Sequence, residues 1–227
     1  MTAAVSIDEF DDLPRRARIV GAQIPPAQRC APIWDGPVRR GEHTPHNPMV
    51  WLLGASGGVG VSSLTRSIAY AGDCGRAWPS RIGPREDSPL IVIVARTTMH
   101  SLRHAHDLLL QHGAGATPEG TTVLGVAAVA DSDRPLSTPI RSQLHVLSSL
   151  AGALWHVPWI EPWRVLEPHA LPEWGPNSVP AAAKKRWRGG EDVAHTPPPP
   201  VIELYHRIQT AAHERITAMT HGKDTTR

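Results

Sequence analysis

Met49-Val50-Trp51-Leu52-Leu53-Gly54-Ala55-Ser56-Gly57-Gly58-Val59-Gly60-Val61-Ser62-Ser63-Leu64-Thr65-Arg66-Ser67-Ile68-Ala69-Tyr70 carries three signals in succession. A short apolar run comes first. A glycine-rich segment follows it, and then apolar residues at 64, 68 and 69 recur at helical spacing. The order is buried strand, glycine loop, helix. Such a unit turns backbone N–H groups and a helix start toward an anion. Ser62 or Ser63 falls at that start, where a hydroxyl caps the helix or ligates magnesium.

The pattern continues outward. Leu90–Ala95 and Val123–Ala130 are apolar runs, and Trp155–Trp159 reads as a last short strand. Between them the spacing predicts helices over Ser101–His112, with Leu102, Ala105 and Leu109 on one face, and over Pro139–Leu150, with Ile140, Leu144, Leu147 and Leu150 on one stripe. Strands that are apolar throughout and separated by helices indicate a parallel sheet covered on both faces. Right-handed crossovers follow by rule. The expected fold is α/β, a small three-layer domain with a mostly parallel sheet over residues 49–166.

The flanks read differently. Residues 1–48 hold seven prolines and no sustained period, the mark of an irregular extension. A short helix near Ile7–Val20 fits, and Ile33 and Trp34 are placed to dock on the domain as a clip. Residues 167–200 are a proline-rich basic linker ending in Pro197–Pro200. Residues 201–227 form a terminal helix and tail. Val201, Leu204, Tyr205, Ile208, Ala212 and Met219 lie near one stripe, ready to dock on the domain or on a partner.

Composition narrows the function. The chain has 227 residues and a formal net charge of +2, too balanced for a dedicated nucleic-acid binder. Its 23 prolines and 19 glycines exceed average usage. Two cysteines, Cys30 and Cys74, are too few for a disulfide scaffold. No apolar run reaches the roughly 18 residues of a membrane span, and the acidic start Met1–Asp12 lacks a signal-peptide pattern. A cytoplasmic protein is expected. Of 23 Lys and Arg, the lysines are Lys184, Lys185 and Lys223, so residues 1–183 contain none. This arginine bias points to a GC-rich bacterial source, such as an actinobacterium or its mobile elements.

Ser56-Gly57-Gly58-Val59-Gly60-Val61-Ser62-Ser63 resembles the deviant phosphate loop of the MinD/ParA family of P-loop ATPases, which usually reads Lys-Gly-Gly-Val-Gly-Lys-Thr-Thr. The glycine frame and the hydroxyl pair match. Ser56 and Val61 stand where that family has its two lysines, and Ala55 replaces its first loop glycine. Downstream, Ile91–Leu110, Val123–Asp131 and Trp155-His156-Val157-Pro158 are similar to later elements of the family, so the resemblance spans about residues 49–165. One strand–helix unit of the family has only Ala71–Pro89 in its place.

The resemblance implies ATP and magnesium as cofactors. Gly57, Gly58, Val59, Gly60, Val61, Ser62 and Ser63 would face the nucleotide, with Ser62 on the metal. Phosphoryl transfer depends on neutralising charge that grows on phosphate oxygens. Val61 neutralises nothing, and Arg96, at the carboxyl edge after the second clear strand, is the available cation. Asp131 ends a hydrophobic strand and is a candidate magnesium-side carboxylate, the other reading being a plain turn residue. A glycine loop kept for tight strand–helix packing is the competing account of the whole motif.

Three functions stay open. The first is a degenerate MinD/ParA-like accessory or positioning factor that binds nucleotide weakly or not at all, works with a protein partner and is able to dimerise. The second is an active ATP-dependent switch for plasmid or mobile-element partition or transfer. The third is a DNA-binding accessory that uses Lys184, Lys185, Arg186 and Arg188 around Trp187. Trp155, Trp159 and Trp163 either anchor a partner or close the core. His100 and His104, four apart on a helix, either share a metal or form a solvated face.

Overall fold

The computed structural model describes residues 23–38, 48–80, 88–178 and 196–224. The described residues form five strands and four α-helices in the order β1 (Val50–Gly54), α1 (Val61–Ser67), β2 (Ala71–Asp73), β3 (Leu90–Arg96), α2 (Met99–Gly113), β4 (Thr122–Val129), α3 (Thr138–Ala151), β5 (Leu154–Val157) and α4 (Pro199–Asp224). The strands form one sheet in the order β2-β1-β3-β4-β5, and every pairing is parallel. The α/β three-layer expectation is met.

The period of two along each strand sorts its side chains between two cores. Val50 and Leu52 of β1, with Leu90, Val92 and Val94 of β3, face one cluster. Trp51 and Leu53, with Ile91, Ile93 and Ala95, face the other. Both faces are therefore covered, and this is why the strand runs are apolar throughout.

Handedness decides which helix covers which face. From β1 the chain moves one way to β2, then returns past β1 and steps through β3, β4 and β5 in the opposite direction. Right-handed crossovers in opposite directions place their helices on opposite faces. Val61 and Leu64 of α1 enter the first core. Leu102, Ala105 and Leu109 of α2 and Leu144 and Leu147 of α3 enter the second. Among the described residues, the seven-residue α1 is the one crossover helix on the first face.

The C-terminal helix packs on the same face. Val201, Leu204, Tyr205, Ile208 and Ala212 of α4 are buried in the first core against β4 and β5. Burying each large apolar side chain contributes roughly 1.5–3 kcal/mol. Pro199 and Pro200 open α4, where a missing N–H costs little. The stripe seen in the sequence thus docks on the chain's own sheet.

Three departures from the sequence reading have physical causes. The helix after the glycine loop stops at Ser67, because Ile68 turns extended and bridges Trp174. The chain then forms β2, a strand of three residues with no apolar run to announce it. Finally, the packed domain reaches beyond residues 49–166, since Val38, Leu171 and Trp174 are buried. The clip exists: Trp34 Nε1 donates to the Cys74 carbonyl and Ile33 bridges Trp78. The helix read near Ile7–Val20 lies outside the described residues.

Candidate functional site

In a doubly wound sheet of this order, ligands sit at the carboxyl ends of β1 and β3, where the chain reverses direction. The glycine loop occupies that position. Ala55 N–H donates to the Val94 carbonyl at 2.8 Å, fixing the loop's first residue to β3. The Ser56 hydroxyl donates to Ser101 Oγ at 3.0 Å, and Ser101 Oγ also accepts from the Arg96 backbone N–H at 3.0 Å. Buried Ser101 of α2 therefore holds the entry of the loop and the end of β3 together.

The glycines separate the packing account from the ligand account. Gly58 and Gly60 have φ of 69° and 97°, a region that side-chain-bearing residues rarely adopt. Gly57 has no such constraint, and a Cβ added there meets nothing within 4 Å. Neither conformation nor tight packing requires glycine at position 57, and the space beside it is open.

Val59 and Val61 are buried in the first core. Neither side chain reaches the open side of the loop, because both pack inward. Ser62 is exposed, and its hydroxyl donates to Asp73 Oδ2 at 3.1 Å. Asp73 ends β2 and also accepts from Gly75 N–H through Oδ1 at 2.7 Å. A hydroxyl and a carboxylate beside a glycine loop are hard oxygen donors of the kind magnesium prefers, so the residues present fit a magnesium–phosphate group in this respect. Sequence reading missed Asp73, whose one signal is an acid eleven residues after Ser62 in a segment otherwise rich in Gly, Pro and Arg. Ser63 is half-buried on the same turn.

Arg96 crosses the site. Its Nε donates to the Gly58 carbonyl at 3.2 Å and its Nη1 to the Ala130 carbonyl at 2.7 Å. One guanidinium therefore joins the glycine loop to the end of β4. Burial holds its pKa below the ordinary arginine value, with Asp131 acting the other way.

Asp131 pairs with Thr97, just beyond the end of β3. Its carboxylate accepts from Thr97 Oγ1 at 2.8 Å, and its backbone N–H donates back to the same hydroxyl at 3.1 Å. Asp131 opens onto a second recess of about 530 Å³ at the carboxyl edge, shared with Arg134, Trp159, Glu161 and Arg164. Trp159 Nε1 donates to Glu161 at 2.6 Å, Arg164 donates to the same carboxylate at 3.0 Å, and the Arg164 guanidinium lies 5.7 Å from the Trp159 ring. The Trp159 hydrogen bond, then Arg164, keep Glu161 below the usual carboxylate pKa.

No protein-family model, curated protein or solved structure matches the chain. Its chemistry therefore rests on its own residues. Trp155 is in the core, Trp163 packs partly against it, and Trp159 is half-exposed at the recess. The His100 and His104 rings stand 4.5 Å apart. Among the described residues no three His, Cys, Asp or Glu side chains converge as a metal site. Neither Cys30 nor Cys74 forms a disulfide. Lys184, Lys185, Arg186 and Arg188 lie outside the described residues. No helix among the described residues is long and apolar enough to cross a membrane.

Proposed function

We propose that this chain is a degenerate MinD/ParA-like P-loop protein, a cytoplasmic accessory or positioning factor that binds a magnesium nucleotide weakly and does not turn it over at a useful rate. The observation that carries the reading is the Ser62–Asp73 pair beside an open glycine cradle at the switch point of the sheet. Ser62 and Asp73 would hold the ion, and the loop N–H groups of Gly57–Val61 would face phosphate oxygens. A bound magnesium ion supplies charge neutralisation to those oxygens.

Weak binding and slow chemistry follow from the cations. Val61 is turned into the core, and Arg96 has two of its N–H groups committed to main-chain carbonyls. Cationic stabilisation of a transferring phosphoryl group is worth several orders of magnitude in rate. The protein's use of nucleotide would then be recognition, with a protein partner as the reader.

Calorimetric titration of the full chain with magnesium ATP and magnesium ADP tests the proposal, alongside phosphate release. Micromolar to millimolar binding that weakens in Asp73→Asn, with release no faster than the buffer blank, is expected. Absence of heat at millimolar nucleotide refutes the binding reading. Steady turnover abolished by Ser62→Ala favours the active switch instead.

A further inference from the structure

We infer that the cleft at the amino-terminal end of the sheet, opposite the glycine loop, binds a small organic carboxylate with an apolar body. The cleft measures about 1260 Å³ and lies between the C-terminal ends of α2 and α3 and one side of α4. Small-molecule sites occupy roughly 300–1,000 Å³, so the space holds such a ligand with room for water.

Two polar atoms in its lining have no partner. Thr121 Oγ1 and Arg215 Nε are both buried without a hydrogen bond. A buried polar group left unpaired is destabilising, so each calls for a counterpart. Arg215 makes no ion pair among the described residues, whereas its neighbour Arg207 pairs with Glu203 at 2.9 Å. An arginine fork and a hydroxyl donor are together suited to a planar carboxylate.

The rest of the lining selects the ligand's body. The β3–β4 register jumps from Ile91↔Val123 to Val92↔Gly125, so Leu124 is an extra residue in β4. Bulges re-aim side chains and recur beside functional sites, and Leu124 lines the cleft. Trp155 forms the adjoining floor, its ring seated on Gly125, where an added Cβ would stand 2.9 Å from it. The ends of α2 and α3 carry partial negative charge and Glu214 also lines the α4 wall, so the carboxylate belongs at the Arg215 guanidinium and the apolar body over Leu124 and Trp155.

Titration of the full chain with octanoate, 1-octanol and inorganic phosphate tests this site. Octanoate is expected to bind at least tenfold more tightly than octanol or phosphate. Arg215→Gln should weaken octanoate at least tenfold, Arg215→Lys less, and Ala218→Trp, an exposed position on the cleft wall, should block it while the melting temperature holds. Equal affinity for octanol and octanoate, preference for phosphate, or octanoate affinity unchanged in Arg215→Gln and Ala218→Trp would overturn the assignment. Binding of octanoate should not depend on magnesium ATP, so failure here leaves the glycine-loop reading standing, and the reverse.

Discussion

The Ser62 hydroxyl and the Asp73 carboxylate meet across 3.1 Å, tying the first turn of α1 to the end of β2. They stand eleven positions apart in the chain, and the seven-residue helix α1 is what folds the chain back over that distance. The pair sits on the exposed rim of the glycine loop, on the side away from Arg96's second anchor at Ala130.

Asp73→Asn should separate metal binding from loop structure. The amide keeps an oxygen to accept from Gly75 N–H but removes the negative charge. Magnesium-dependent affinity for ATP is expected to fall at least tenfold, about 1.4 kcal/mol, with magnesium-free affinity little changed. Calorimetry with and without the ion is the check, and an unchanged magnesium dependence would remove Asp73 from the site.

Two glycine substitutions should diverge. At Gly72 an added Cβ would lie 2.6 Å from the Trp51 ring and 2.8 Å from Pro48, so Gly72→Ala overpacks the β1–β2 contact. A loss of about 1–3 kcal/mol in denaturant unfolding is expected. Gly57→Ala faces open space, and its stability should stay within about 0.5 kcal/mol. Nucleotide affinity should nevertheless drop several-fold in Gly57→Ala. Equal stability losses in the two variants would contradict the cradle.

Stability should fall on mild acidification. Burial holds the pKa values of His112 and His156 below the ordinary histidine value. The unfolded chain therefore binds protons more readily than the folded one below about pH 6.5. Stability is full above that pH and declines as pH falls toward the folded pKa values. Melting temperatures at pH 7.5 and 5.5 measure the effect, and His156→Gln should flatten the dependence. A wild-type protein equally stable at both values would exclude it.

The N-terminal clip should be coupled to α2 through one ion pair. Arg29 donates to both carboxylate oxygens of Asp107, one of them at 2.8 Å, while Asp107 is buried and Arg29 half-exposed. Arg29→Ala strands a buried carboxylate and should lower the melting temperature more than an ordinary surface truncation. Asp107→Asn in the Arg29→Ala background should recover part of the loss. A double-mutant cycle gives the coupling, and additive single effects would show that the ion pair adds nothing to the Ala31–Gln111 hydrogen bonds and the Ile33 and Trp34 contacts.

The long strands were legible because both their faces are buried. Leu90–Ala95 and Val123–Ala130 need no partner to announce themselves, since a parallel strand under helices must be apolar throughout. The glycine loop was legible for a local reason too: Gly58 and Gly60 meet a backbone requirement that few other residues satisfy. β2 was not legible, because Ala71-Gly72-Asp73 becomes a strand only by lying against β1. Nor was the fate of α4, whose stripe would suit any apolar surface.

By itself, then, the sequence determined the layer architecture, the place of the loop and the absence of lysine from residues 1–183. Tertiary structure alone decided which groups share a site. It set Asp73 beside Ser62 and Asp131 beside Thr97, set Arg96 across the loop to Ala130, and laid α4 over the first face of the sheet. The reason is physical. Apolar period and backbone conformation are properties of a segment, whereas a hydrogen bond between residues far apart in the chain exists only after the crossovers have fixed which strand ends lie side by side.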